Sequence, residues 1–208
     1  MFSILLPGGM VFLFRKRLSL PLRIISALVI FTMLMEILGF SLYKAKMNNM
    51  VFFRAYTYVE ATFLFFYYRS IITTPRLKAF HLFIFIAFLL FSFANLFPWD
   101  WENFAHHNSI QRGAECIWAI VLLITFYINI FNTSTDIDLL RYPHFWMTSG
   151  FLLYFAGTMF QSILMDTYQT TELIQFDISD IHSYLNIFLN IIYTIALWMG
   201  SRALTSVR

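Results

Sequence analysis

The sequence is short of the residue types on which soluble catalytic domains rely. Charged residues make up 12% of its 208 positions, against about 25% in a soluble domain. It holds one cysteine, Cys116, which excludes an intrachain disulfide and the paired cysteines of a structural zinc site. The metalloprotease HExxH, the esterase GxSxG and the P-loop are absent. We therefore predict no metal site and no cofactor, and the sequence assigns no catalytic residue.

Apolar residues take up most of the chain. Hydrophobic residues account for 60% of the positions, with 26 Phe and 11 Tyr among them, and the mean hydropathy is +0.70. Soluble domains are about 45–50% apolar. The composition predicts an all-α, polytopic transmembrane helical bundle that occupies residues 1–208 as a single domain, with the lipid bilayer as its first partner.

The apolar stretches predict the number of spans, because a helix needs about 20 residues to cross a bilayer. Six stretches are long enough, and the N-terminal stretch Phe2–Phe14 is a short seventh. We predict seven spans, with six as the alternative, and we expect Pro75, Pro98 and Pro143 to mark helix boundaries. The six long stretches are Pro21–Tyr43, Met50–Ile72, Lys78–Phe97, Ser109–Phe131, His144–Met165 and Ile181–Arg202.

Basic residues in the connecting loops predict the orientation. The Arg15–Arg17 cluster, the Arg69–Lys78 connection, Arg141 and the C-terminal arginines all fall on one side of the predicted bundle, and most acidic loop residues fall on the other. Cytoplasmic loops are rich in Lys and Arg. We therefore predict a multi-pass protein of the bacterial inner membrane with a cytoplasmic C-terminus. This arrangement explains the net charge of +3 without a nucleic-acid partner.

Strongly polar residues inside the spans indicate a functional layer. Glu60 lies near mid-depth, where a carboxylate costs about 2.5–3.5 kcal/mol, and the others lie towards the outer face. Lipid offers such groups no hydrogen bonds, so we expect them to face one another or a hydrated cavity. The candidate ligand-binding residues are Glu36, Glu60, Asn95, Arg112, Glu115, Gln161, His182, Asn186 and Asn190.

Helical spacing groups some of these candidates. His182, Asn186 and Asn190 recur every four residues and form one stripe. Arg112 and Glu115 are three apart and are predicted to pair. A structural interpretation stands beside the functional one, since buried Asn and Gln often only join helices, at about 0.6 kcal/mol per contact.

The arrangement of these groups is a specific prediction. We expect Glu60 to face the bundle interior, in one cavity with His182 or Asn186 and with at least one of Glu36 and Glu115. Outward placement into lipid would leave the carboxylate without any partner.

Four segments carry a resemblance to known proteins. They are the run from Arg54 to Arg69 with its central glutamate, RGAECIW, PHFWMTSGFLLYFAG and HSYLNIFLNIIYTIALW. Together they resemble a group of small bacterial seven-helix membrane proteins to which no activity is attached. More distantly, the chain is similar to the seven-helix sensory modules that precede kinase domains. Because the chain holds no kinase domain, this resemblance implies signalling through a protein partner in the membrane.

Four functions are compatible with these patterns. We favour a binding or sensing module with an outward-facing polar pocket for a small ligand. The alternative is a membrane-embedded enzyme that uses Glu and His in acid–base chemistry. A proton-coupled transporter or a structural subunit of a membrane complex is a further alternative, and whether the protein is an enzyme stays open at this point.

Overall fold

Helices form all of the regular structure in the described part of the chain, which comprises residues 2–47, 50–94, 109–133, 138–167 and 172–203. In this computed structural model these ranges hold seven α-helices, three short 3₁₀ turns and no β-strand. The predicted all-α class is confirmed. The helices are α1 Leu5–Phe14, α2 Leu20–Lys44, α3 Met50–Ile71, α4 Pro75–Ala94, α5 Ser109–Thr133, α6 Pro143–Thr167 and α7 Glu172–Ala203.

Prolines determine where several helices begin. Pro75 and Pro143 are the first residues of α4 and α6, where the missing N–H is not needed and the fixed φ suits a helix. The predicted boundaries at these two prolines are confirmed, and Pro98 lies outside the described residues. The N-terminal stretch is divided into a 3₁₀ turn, Phe2–Ile4, and α1.

The last helix is longer than the sequence predicted. The predicted span begins at Ile181, whereas α7 begins at Glu172 and runs for 32 residues. The prediction treated the acidic stretch before Ile181 as a loop. Glutamate, however, is a good helix former, and acidic residues in a first turn interact favourably with the helix dipole. The connection between α6 and α7 is correspondingly shorter than expected.

Four helical segments in the described part of the chain are long and apolar enough to cross a membrane. This number is smaller than the predicted seven or six. Helix α1 has only 10 residues, and α3 and α6 are long enough but not sufficiently apolar. The four segments are Leu20–Lys44, Pro75–Ala94, Ile110–Thr133 and Asp180–Arg202.

The helices close into a ring. Helix α1 contacts α2, α2 contacts α3, α3 contacts α5, and the ring continues through α6 and α7 back to α1. Helix α4 packs against α3 and α5. Helix α5 is the best covered of the four apolar segments, with 56% of its most apolar window buried, against 22% for both α2 and α4. The buried polar residues of α5 are Gln111, Glu115, Thr125 and Asn129.

Small residues allow α6 and α7 to approach closely. A Cβ atom added to Gly150 would lie 2.6 Å from Cγ2 of Ile192, and one added to Gly157 would lie 2.6 Å from Cδ1 of Leu185. Glycines at helix contacts let backbones come together. These two glycines therefore let α6 pack closely against α7, beside the polar residues described next.

Candidate functional site

Two glutamates and one arginine meet inside the ring. Glu60 lies in the middle of α3, Arg112 in the first turn of α5, and Glu115 one turn later. Glu60 is 2% exposed and Glu115 is 0% exposed. The predicted inward placement of Glu60 is confirmed. Because Arg112 reaches Glu60, the first turn of α5 approaches the middle of α3.

Arg112 holds the two carboxylates together. Its Nη1 donates to Oε2 of Glu60 at 2.8 Å and also to Oε2 of Glu115. Its Nη2 donates to the hydroxyl of Tyr154, on α6, at 2.9 Å. The predicted pairing of Arg112 with Glu115 is confirmed, and the bond to Glu60 extends it across helices. We call Glu60, Arg112, Glu115 and Tyr154 the arginine cluster.

A tyrosine connects the arginine cluster to a fourth helix. The Tyr56 hydroxyl donates to Oε1 of Glu60 at 3.3 Å, and it lies 3.1 Å from Oγ1 of Thr32 on α2. The network therefore joins α2, α3, α5 and α6. A change in the charge of either glutamate would therefore alter the hydrogen bonds that connect these four helices.

The charges of the arginine cluster do not balance. Two buried carboxylates share one guanidinium, so one negative charge remains if both are ionised. Oε1 of Glu115 is buried and finds no hydrogen-bond partner among the described residues. An uncompensated charge at such a site is costly. With both glutamates ionised, the arginine cluster would therefore lack one positive charge.

His182 does not share this cluster with Glu60. Its Nδ1 lies 3.1 Å from Oε1 of Gln161, so these two candidates pair with each other. The Tyr154 ring contacts His182, with the two ring centroids 6.1 Å apart, and its hydroxyl accepts from Arg112. The prediction that Glu60 shares one cavity with His182 or Asn186 stays a prediction, whereas the predicted neighbour Glu115 is joined to Glu60 through Arg112.

The other candidates among the described residues form no described hydrogen bond with the arginine cluster. Asn190 donates from Nδ2 to Oγ of Ser3 at 2.9 Å, so the predicted stripe on α7 is divided between different partners. No hydrogen bond within the described ranges joins Asn186 or Glu36 to the arginine cluster. Asn95 lies outside the described residues. The role of all these residues in binding a ligand stays a prediction.

Sequence reasoning did not assign a site role to the tyrosines. Tyr56 and Tyr154 bond directly to cluster members, and Tyr193 on α7 is within electrostatic range of Glu60. One signal was available: Tyr56 is four residues before Glu60 and shares its helix face. Tyr154 shares a helix face with Gly150, Gly157 and Gln161, but only the packing of α6 against α5 brings it to Arg112.

Two histidines pair with side chains on other helices, outside the arginine cluster. His81 of α4 and Thr125 of α5 are buried and hydrogen-bonded to each other through Nε2 and Oγ1. Nδ1 of His144 lies 2.8 Å from the hydroxyl of Tyr67. These histidines have neutral partners from neighbouring helices, so they join helices and are separate from the arginine cluster.

The described residues contain no group of three or more His, Cys, Asp or Glu side chains that could hold a metal ion. Comparison of the chain with protein-family models, with curated proteins and with solved structures finds no match. A function is therefore inferred from the geometry of the arginine cluster.

Proposed function

We propose that the protein is a multi-pass inner-membrane protein with a cytoplasmic C-terminus, with seven spans if the short α1 crosses the bilayer and six if it does not. The polar residues that make α3 and α6 less apolar support this arrangement. Glu60, Tyr154 and Gln161 are buried inside the ring rather than turned towards its outside. A helix whose polar groups are covered by neighbouring helices can lie in a bilayer despite a modest overall hydropathy.

Cysteine labelling tests this orientation. On a background in which Cys116 is replaced by alanine, Met47→Cys should react with an impermeant maleimide in intact cells, because the α2–α3 connection is proposed to lie outside. Leu140→Cys should react only after the cells are opened. Both positions are exposed, at 61% and 68%. Labelling of Leu140→Cys in intact cells would contradict the orientation.

Within this bundle, we propose that the protein acts as a binding or sensing module and that the arginine cluster is its responsive element. The observation that carries the proposal is the charge count: two buried carboxylates share one guanidinium, and Oε1 of Glu115 has no described partner. The species that such a site accepts is a proton or a small monovalent cation. Because the network joins α2, α3, α5 and α6, its occupancy would change helix packing, and a membrane partner could detect that change.

The same geometry favours binding over acid–base catalysis. The enzyme alternative needs a glutamate and a histidine acting on one substrate. In this bundle His182 pairs with Gln161, and no described hydrogen bond joins it to either glutamate.

Substitution of Glu115 by glutamine tests the responsive element. The protein is reconstituted in nanodiscs and its unfolding temperature is measured from mildly acidic to mildly alkaline pH. The wild-type temperature should fall as the pH rises, because loss of the proton leaves the arginine cluster with a net negative charge. In the Glu115→Gln variant the one remaining carboxylate, Glu60, is balanced by Arg112. Its unfolding temperature should therefore not fall as the pH rises over this range.

Asp138→Asn is the matched control, since Asp138 is an acid whose side chain is 58% exposed and that no described hydrogen bond joins to the arginine cluster. Its pH profile should follow the wild type. Sodium or methylammonium chloride, added at alkaline pH, should restore the wild-type unfolding temperature if a cation can replace the proton. Identical pH profiles for the wild type and Glu115→Gln would contradict the proposal.

A further inference from the structure

A groove of about 470 Å³ opens between α1 and α2, away from the arginine cluster. Its walls are apolar and include Val11, Phe12 and Ile30. Its rim is basic and consists of Arg15, Lys16 and Arg23. The groove is therefore charged at one end and apolar along its length.

The charge at the rim is not balanced locally. The chain has four basic residues and no acidic residue before Glu36. Within the described ranges no carboxylate forms a salt bridge with Arg15, Lys16 or Arg23. Nε of Arg23 donates to the carbonyl oxygen of Leu18 at 2.9 Å. That bond fixes the orientation of the Arg23 guanidinium. It leaves the two NH₂ groups of Arg23 available to bind a phosphate.

The groove is long enough to hold the part of an acyl chain nearest the headgroup. Arg23 and Ile30 are seven residues apart on α2, a distance of about 10 Å along the helix axis. Phe12, on the opposite wall, is 62% exposed. An exposed aromatic wall that begins at a basic rim matches the order of groups in a phospholipid, with a phosphate followed by acyl chains.

We propose that this groove binds an anionic glycerophospholipid, with its phosphate at the rim and an acyl chain along Phe12, Ala27 and Ile30. Basic pockets between helices on the cytoplasmic side are suited to anionic lipid headgroups. The inference relies on the proposed membrane insertion and orientation, which place the rim at the inner surface. It does not depend on the arginine cluster or on sensing.

Lipid retention tests the proposal. The full chain is purified from micelles containing equal amounts of phosphatidylglycerol and phosphatidylcholine, and retained lipid is counted by native mass spectrometry. The wild type should retain phosphatidylglycerol preferentially. In the variant Arg15→Gln/Lys16→Gln/Arg23→Gln the preference should be lost, by roughly fivefold for each cation removed.

The matched control is Arg76→Gln/Lys78→Gln, which removes two cations from the same proposed side of the membrane, outside the groove. It should keep the wild-type preference. Equal retention of the two lipids by the wild type, or an unchanged preference in the triple variant, would overturn the proposal. So would full competition by inorganic phosphate alone, because the site would then bind a free anion rather than a lipid. Failure of the chain to enter membranes would instead overturn the proposed topology.

A substitution in the apolar wall tests the acyl part independently. Ala27 is exposed in the groove, so Ala27→Trp should fill the groove without disturbing the core and should reduce phosphatidylglycerol retention several-fold. Leu13→Trp, at a position 75% exposed and outside the groove, should retain lipid as the wild type does. Equal retention by both tryptophan variants would exclude the acyl chain from this groove.

Discussion

Replacement of Arg112 by methionine should lower the free energy of unfolding by about 3–5 kcal/mol. Methionine keeps much of the side-chain volume but removes the guanidinium that both glutamates share. Glu60 and Glu115, at 2% and 0% exposure, would then be two buried carboxylates without a cation. Equilibrium unfolding in mixed detergent micelles, monitored by circular dichroism, measures the loss.

Two comparisons make this result specific to the arginine cluster. Arg141→Met breaks an ion pair with Asp138 in which the side chains are 88% and 58% exposed, so its effect should stay within about 0.5 kcal/mol. The combined variant Glu60→Gln/Arg112→Met/Glu115→Gln should recover most of the stability lost in Arg112→Met, because no buried charge remains. An Arg112→Met variant as stable as Arg141→Met would show that the described ion pairs contribute nothing.

The second large effect is expected at the contact between α6 and α7. Gly150→Val should destabilise the protein by about 1–3 kcal/mol. The added Cβ would lie 2.6 Å from Cγ2 and 3.1 Å from Cβ of Ile192, which forces the two helices apart. Thermal unfolding of the purified variant measures the loss.

Gly9→Val provides the matched control, because a Cβ at Gly9, also within a helix, meets nothing within 4 Å. A smaller loss is expected there. If the clash is the cause, Ile192→Ala combined with Gly150→Ala should be more stable than the sum of the two single effects predicts. Equal losses at Gly9 and Gly150 would mean that valine acts through helix propensity rather than through packing.

Composition and hydropathy alone were sufficient for the helical class and for most helix positions. The reason is that a helix in lipid must satisfy its own backbone hydrogen bonds, so long apolar stretches have few alternatives. Proline added local precision, and the helix starts at Pro75 and Pro143 were predictable from its geometry. The start of α7 was not, because the acidic stretch from Glu172 is compatible with either a loop or a helix.

Local spacing also determined part of the candidate site. Arg112 and Glu115 are one turn apart on α5, so their pairing follows from the helix itself. The burial of Glu60 was predictable from the cost of exposing a carboxylate to lipid. The Arg112–Glu115 pairing follows from the geometry of one helix, and the burial of Glu60 follows from the apolar surroundings predicted for its helix.

Only the tertiary structure determines which helices provide hydrogen-bond partners for Arg112. Glu60 and Arg112 are 52 positions apart, and Arg112 and Tyr154 are 42 apart, so no spacing rule links them. The same ring closure carries His182 to Gln161 and Asn190 to Ser3 instead of to Glu60. A sequence establishes that a buried polar group must find a partner, but the choice among several chemically suitable partners depends on how the helices pack.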